Sequence, residues 1–541
     1  MWKDTTQTFY LLGTLIFISY CTIIAHNEIP NLDIMEIRNI VTAREMVVDN
    51  NWLLPTMNGE IRIAKPPLPT WLTALPIIIT NSDDNLGALR VPAGIAAILM
   101  VFFVYFCAKA LTGSSLVSFF SATVVASSEF LIIMGKRASW DIFCHTFMLG
   151  AICLLLFGWK KEKDALGLFL VAGLLMGLSF LSKGPIAFHS LLLPFLLSYV
   201  YVFGYKRIRL KWRGTTVAIV VCIMISALWP FYLYQYLPDT AVAVGAKEMH
   251  TWVAYKAKPM WYYLPFPVHS GIWVCLLISA LIYPLVNKSQ HFLKEKENYT
   301  FFVVWIVLIV VLLTLIPKKS THYLLPVIIP VSLLIGLFMQ HLITNYKERK
   351  QTTSDKITVL IHQILVLLLA LVSLAVFLYH DFWIHPESVA TNYIPILIFT
   401  VIVLVSCYFY KKREILKLFI TTVVLVCSIC LFIPPIVSPM IDQKSFMTLK
   451  MSRKETEGRM IPFYSSYEMG IKEIWAVGKK VMEKEVDSLE ATDESFAYFS
   501  KQHPDLLFRD NLSLSKRIQS INSYVDTHSN ETWYVSFMSE I

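Results

Sequence analysis

The sequence predicts an all-α integral membrane protein. It is a multi-span helix bundle of about thirteen transmembrane helices, with juxtamembrane helices in the first outer loop and a small mixed α/β exterior domain at the C-terminus. Three observations predict this. Of the 541 residues, 56% are hydrophobic and only 16% charged, and the mean hydropathy is +0.58, far from the balance of a soluble domain. Apolar runs near the length that crosses a bilayer, about 20 residues, recur as far as residue 436. Lysines and arginines gather in alternate connections between those runs.

The runs fall near 8–26, 86–111, 115–135, 139–158, 165–182, 185–204, 215–236, 262–287, 300–317, 322–343, 357–379, 393–410 and 415–436. No small-residue cleavage site follows the first, so it reads as an uncleaved anchor. With a cytoplasmic N-terminus, the returning connections hold Lys160, Lys161 and Lys163; Lys206, Arg207, Arg209, Lys211 and Arg213; Lys288, Lys294 and Lys296; Lys347, Arg349, Lys350 and Lys356; and Lys411, Lys412 and Arg413. This is the positive-inside bias, and an odd number of spans then puts the C-terminal segment outside. The net charge of +9 is therefore mostly topology, and no nucleic-acid partner is implied.

Residues 1–436 make the membrane domain, with a first outer loop at 27–85 and another at 237–261. In the first loop, Ile34, Ile37, Val41 and Val48 fall near one face of a surface helix over about 34–48. Pro66, Pro67 and Pro69 break the chain and start a second short helix. The segment 437–541 is charged and Ser-rich and reads as mixed helix and strand, with Trp533 to Phe537 a strand. All nine cysteines lie in apolar runs, which argues against a disulfide framework. The pair Cys427 and Cys430 sits inside a hydrophobic helix and reads as packing. No phosphate-cradling P-loop or dinucleotide fingerprint is present.

The loops on the predicted outer face carry cations that the topology does not call for: Arg38, Arg44, Arg62, Lys65, Lys136, Arg137, Lys183, Lys247, Lys318 and Lys319. Anionic phosphate at the outer leaflet would explain the set. Snorkelling, helix capping and pairing with acids such as Asp49 and Glu60 are the plainer explanations for single members.

The motifs in these loops resemble those of the polyprenyl-phosphate-sugar glycosyltransferases of the GT-C superfamily. Among these are the 4-amino-4-deoxy-L-arabinose lipid A transferases and, more distantly, the dolichyl-phosphate-mannose protein mannosyltransferases. The matching residues are Glu36, Arg38, Ala43-Arg44-Glu45-Met46, Trp52, Pro55 and Lys65-Pro66-Pro67-Leu68. They continue with Arg137 to Asp141, Leu181 to Pro185, Lys258 to Tyr263, and Lys319 to Tyr323 with Leu325-Pro326. They run in order over roughly 1–340, each on the predicted outer face. The resemblance implies a GT-C-type bundle in the bacterial inner membrane with its C-terminal domain periplasmic. It implies a polyprenyl (undecaprenyl) phosphate-sugar donor, a glycolipid or protein acceptor, and inversion at the anomeric carbon.

Two positions depart from the family pattern. Met35 stands where the family has its proposed catalytic acid, so that role passes to Asp33, with Glu36 second. Ala64 stands where an acid, a metal ligand in relatives, often precedes Lys-Pro-Pro; no cofactor is fixed, and a divalent metal stays open. Sugar transfer from a lipid phosphate needs cations for the charge that builds on the leaving phosphate and a carboxylate to take the acceptor's proton. That chemistry assigns Lys65 and Lys183 to the donor phosphate, with Arg38, Arg137, Lys247, Lys319 and Tyr323 as further candidates, and Asp141 to substrate orientation or metal contact.

Each assignment has a structural alternative. Asp33 is well placed to cap the helix after it. Glu36 and Arg38 could sit on a solvated face. Asp141 could pair with Arg137 one turn back, Lys183 could serve a helix C-terminus, and Tyr323 could be an interfacial anchor. His250, His269 and His322 are read as structural. A lipid or anion transporter, or an inactive relative acting as a membrane scaffold, are the alternative functions; a transporter would show internal repeats and mid-membrane charges.

Overall fold

The computed structural model describes residues 2–162, 165–254, 258–286, 295–379, 393–438, 445–456, 458–466, 469–489, 494–525 and 531–540. Lys163, Lys288 and Lys294 of the charge pattern lie outside the described residues. Among the described residues ten helices are long and apolar enough to cross a membrane, and a bent pair brings the number to eleven. This is a multi-pass membrane protein.

The expected count of thirteen is not reached. The run at 115–135 is two helices, Ser115–Ala126 and Glu129–Gly135, bent by 61°. The break falls at Ser127 and Ser128. The Ser127 hydroxyl donates to the Thr123 carbonyl at 2.6 Å and accepts the Trp273 indole N–H at 3.0 Å, while Ser128 turns extended (ψ 137°) to start the next helix. The runs at 8–26 and 185–204 yield the shorter apolar helices Phe9–Ile24 and Phe188–Phe203. At 1.5 Å per residue each is shorter than a hydrocarbon core of about 30 Å. Both contain a π turn, Tyr20–Ile24 and Phe188–Leu192, where the hydrophobic pattern alone gives no warning.

The described chain divides into two compact units. The first comprises Met1–Pro30, Ala64–Pro69 and Arg90–Ile436; the second comprises Asn31–Ile63, Thr70–Leu89 and Val437–Ile541. Residues beyond 436 fall in the second unit together with most of the first outer loop.

In the second unit a short hairpin, β1 (Thr56–Met57) and β2 (Glu60–Ile61), precedes a five-stranded sheet. The sheet strands are β3 (Phe463–Ser465), β4 (Met482–Glu483), β5 (Phe496–Ser500), β6 (Ile518–Val525) and β7 (Thr532–Met538). Their order is β4-β3-β5-β7-β6, with β3 parallel to β4 and β5 and the rest antiparallel. Central strand β5 is buried throughout. Its alternate residues serve opposite faces, as strand period requires: Phe496 and Tyr498 pack with Phe508 and Leu514, and Ala497 and Phe499 join the larger core.

That larger core takes in Ile37, Ile40, Val41 and Ala43 of the Ile34–Val48 helix, together with Ala74, Ile77, Phe463, Trp475 and Trp533. The helix has the predicted bounds, but it is not a surface helix. Ile34 and Val48 are its exposed apolar residues, whereas Glu36, Asn39, Thr42, Arg44 and Glu45 are buried. Its polar residues are satisfied within the unit. Asn39 Nδ2 donates to Thr73 Oγ1 at 2.9 Å and its Oδ1 accepts from Thr70 at 2.8 Å. Glu45 accepts from Thr56 Oγ1 (2.7 Å) and from the amides of Asn58 (2.6 Å) and Gly59 (3.0 Å). Arg44 reaches Asp83 at 3.4 Å, and burial lowers its pKa. For Arg44 the plainer explanation, pairing with an acid, is the one realised.

Candidate active site

Asp141 and Lys183 are built by two helix ends. Asp141 lies in the first turn of Trp140–Lys160 and Lys183 in the last turn of Leu166–Lys183. Each charge therefore sits at the end of the helix dipole that favours it. The two helices pack against each other, and Ser179 Oγ donates to the Cys144 carbonyl at 2.7 Å across the seam. Gly184 closes the second helix with φ +71°, a conformation open to glycine, and Pro185 prevents continuation.

Lys183 Nζ meets Asp141 Oδ1 at 2.5 Å, with the side chains 3% and 7% exposed. Asp141 thus has an ion-pair partner 42 residues along the chain. Arg137 is half-buried at the turn before Asp141. The Lys183 ammonium also stands 5.4 Å from the ring centre of Tyr323, which makes Tyr323 part of the cluster rather than an interfacial anchor. Asp141 interacts electrostatically with His145 and His322 as well. His145 Nδ1 lies 2.8 Å from the Asp141 carbonyl and Nε2 lies 3.1 Å from Ser190 Oγ. His322 Nδ1 lies 2.9 Å from Ser320 Oγ.

Lys65, from the Lys-Pro-Pro turn, belongs to the same unit. Its Nζ is 3.0 Å from Glu248 Oε2, with side chains 21% and 35% exposed. Burial lowers the Lys65 pKa, Glu248 opposes that shift, and the neighbouring charges of Lys183 and Lys318 reinforce it. Glu248 rises from the Pro238–Ala254 helix, which occupies the predicted outer loop at 237–261.

Two further motifs meet here. Tyr263 Oη donates to the Ser320 carbonyl (3.3 Å) and accepts the Ser320 amide (3.2 Å), and Tyr262 Oη lies 3.2 Å from Thr321 Oγ1. The Lys258–Tyr263 turn thereby fixes the Lys319–Tyr323 turn. Lys319 is buried and donates to the Lys258 carbonyl at 3.2 Å, so its ammonium serves that junction. Lys247 is exposed on the Pro238–Ala254 helix. Lys136 is also structural: it is buried, with Nζ 2.6 Å from the Ala25 carbonyl.

The remaining candidates lie in the second unit. Asp33 Oδ1 accepts the Met35 amide at 2.8 Å, so Asp33 is the N-cap of Ile34–Val48. Glu36 is fully buried, so the alternative of a solvated face does not apply to it. Arg38 is half-buried, and its Nη1 reaches only the Met35 sulfur at 3.9 Å. Sequence reasoning did not single out Glu248 or His145, and it read His322 as structural. Glu248 has no motif around it, His145 hides in an apolar run, and His322 lies inside the Lys319–Tyr323 motif and was legible there. Among the described residues no three His, Cys, Asp or Glu side chains converge as metal ligands.

The chain is similar to known proteins in both sequence and fold. Residues 64–231 match the dolichyl-phosphate-mannose-protein mannosyltransferase family model. The chain is 26% identical over 322 residues to the undecaprenyl phosphate-alpha-4-amino-4-deoxy-L-arabinose arabinosyl transferase of Pseudomonas savastanoi, covering 57% of each chain. It is 24% identical over 329 residues to the corresponding transferase 1 of Proteus mirabilis, covering 60% of this chain and 57% of that one. Thus the match spans a little over half the length of these relatives. The crystal structure of ArnT from Cupriavidus metallidurans bound to undecaprenyl phosphate superposes with a TM-score of 0.69 at 13% identity, covering 98% of both chains. This chain resembles the GT-C glycosyltransferases. Its fold is of that type along nearly its full length, and Lys65, Asp141 and Lys183 lie within the matched residues 64–231.

Proposed function

We propose that the protein is a bacterial inner-membrane glycosyltransferase that moves a sugar from a polyprenyl phosphate, such as undecaprenyl phosphate, to a glycolipid of the lipid A type or another acceptor on the periplasmic face. One observation carries this reading: the buried Asp141–Lys183 pair beside Tyr323, with Lys65 close enough to feel the charge of Lys183. A sugar phosphodiester arrives already activated. As the bond between the anomeric carbon and the phosphate oxygen breaks, its electron pair stays on the phosphate, and preorganised ammonium groups stabilise that charge. Lys65 takes the phosphate, and Lys183 supports it while holding Asp141 in place.

The acceptor hydroxyl or phosphate loses its proton to a carboxylate. Asp141 is the carboxylate already placed beside a cation, and Asp33 is the second candidate because one of its oxygens is committed to the helix cap. Glu36, fully buried, would need a rearrangement to touch substrate. A single displacement of this kind inverts the anomeric centre and leaves no sugar on the protein. The N-terminus would be cytoplasmic and the C-terminal segment periplasmic, as the loop charges imply.

The test is mass spectrometry of lipid A and surface glycans from cells with and without the gene, complemented by wild type, Lys65→Ala, Asp141→Asn and Asp33→Asn. Loss of a defined sugar that wild type restores and Lys65→Ala does not is the expected result. Unchanged glycans in the deletion would remove the proposal. In vesicles without any gradient a transferase forms product, whereas a transporter does not.

A further inference from the structure

Lys65 is the cation that the reading above assigns to the donor phosphate, yet in this structure its ammonium is held by Glu248 at 3.0 Å. Binding the donor phosphate gives no role to a carboxylate on that same ammonium, which an anionic ligand must displace. The Lys65 ammonium is only 21% exposed, and Lys183 and Lys318 already crowd it with positive charge. Glu248 thus offsets a local excess of cations while the phosphate is away. We infer that Glu248 is an internal competitor for the phosphate site: it occupies Lys65 between turnovers and favours release of the polyprenyl phosphate product. This rests on the proposed transferase function.

The charge balance explains why such a group is useful. The donor is a phosphodiester with one negative charge. Transfer breaks the bond from the anomeric carbon to oxygen and leaves both electrons on the phosphate. The new glycosidic bond forms to the acceptor oxygen, and the acceptor proton goes to the carboxylate base. The product is a phosphate monoester carrying about −1.5 to −2 near neutral pH. A site cationic enough to gather the donor would hold this product more tightly still. A carboxylate on the same ammonium opposes both ligands, and the product more, because repulsion grows with the ligand's charge. Glu248 sits on the Pro238–Ala254 helix, whereas Lys65 lies in a separate turn between two prolines and an alanine, so either partner can give up the contact without unwinding a shared element.

The test measures binding of undecaprenyl phosphate to the full-length protein in detergent, for wild type, Glu248→Gln and Glu248→Ala, with thermal stability of each. Both variants are expected to bind about fivefold more tightly than wild type, the scale of a partly exposed ion pair. In Glu248→Gln, steady-state turnover should fall while the single-turnover rate does not. A merely structural ion pair predicts the reverse sign: weaker or unchanged binding with lower stability, and that result overturns the inference while leaving the transferase reading intact. If wild type and both variants alike fail to bind undecaprenyl phosphate, the transferase reading falls and the inference with it.

Discussion

The Arg453–Asp83 network of the second unit and the Asp141–Lys183 cluster of the membrane unit hold charge in different ways, and the difference separates structure from candidate chemistry. In the second unit Arg453 donates from Nε to the Ala476 carbonyl at 2.8 Å, from Nη1 to Asp83 at 2.6 Å, and from Nη2 to the Trp475 carbonyl. Arg44 joins the same Asp83 and the Ile474 carbonyl. These guanidinium groups are tied to backbone carbonyls as well as to Asp83. In the membrane unit the Lys183 ammonium has Asp141 and the face of Tyr323, and Lys65 has Glu248. Those partners are side chains, each of which an incoming anion can replace. Charge held by backbone stabilises a fold, whereas charge held by another side chain is available to a substrate.

Breaking the membrane-unit pair should have the largest effect. Removing one member of a buried ion pair leaves the other uncompensated, at a cost of about 3–5 kcal/mol. Asp141→Asn and Lys183→Met should each lower the thermal midpoint in detergent and abolish sugar transfer. The double variant should recover much of the stability and none of the activity. Recovery of transfer in the double variant would show that the pair only braces the helix ends.

The backbone-tied network makes the contrasting prediction. Arg453→Ala removes three hydrogen bonds from a charged donor, and a loss of about 2–3 kcal/mol follows for the second unit, read from limited proteolysis within 445–540. Affinity of the intact protein for undecaprenyl phosphate should stay within about twofold of wild type, the scale expected of independent sites. A large loss of affinity would mean that the two charge networks are not separable in this way.

Much of this contrast was legible in the sequence, and the rest was not, for a physical reason. The Ile34–Val48 helix could be bounded from Asp33 and the apolar spacing, and the Leu68–Thr80 helix from the prolines before it, because caps and breakers are local. The outer cations could be singled out because loop charge reports topology. Their partners could not: Lys65 meets Glu248 across 183 residues and Lys183 meets Asp141 across 42, and no spacing rule encodes such distances. The burial of the Ile34–Val48 helix escaped for the same reason, since the core that covers it comes from residues beyond 437. Span count failed where length fell below a bilayer or a Ser-Ser break bent the helix, both of which average out in hydropathy.

Asp33 lies on the boundary between the two kinds of charge, and a smaller effect sorts it. Its carboxylate caps a helix through one oxygen, and replacement of such a cap by alanine costs about 1 kcal/mol. Serine preserves the cap and lacks the carboxylate. If Asp33 is a proton acceptor, Asp33→Ser should keep its stability and lose transfer. If it is only a cap, Asp33→Ser should match wild type in both, and Asp33→Ala should show a modest loss of stability alone.

The smallest effect tests the exchangeable charges by pH. Burial, reinforced by Lys183 and Lys318, lowers the Lys65 pKa, while Glu248 raises it. The ammonium must be protonated to attract phosphate, so affinity should be present at low and neutral pH and decline as pH rises through that lowered value. The decline should begin below the ordinary lysine range, near about 10.4. Lys65→Arg carries a guanidinium that does not titrate in that range, so its alkaline limb should move upward or vanish. Glu248→Gln removes the one influence that raises the Lys65 pKa, so its limb should move downward even as its affinity at neutral pH increases. Opposite displacements in the two variants, measured as the affinity for undecaprenyl phosphate between pH 7 and about 10.4, would tie both residues to one phosphate site. A limb that neither variant moves would assign the alkaline titration to another group and leave Lys65 outside the binding step.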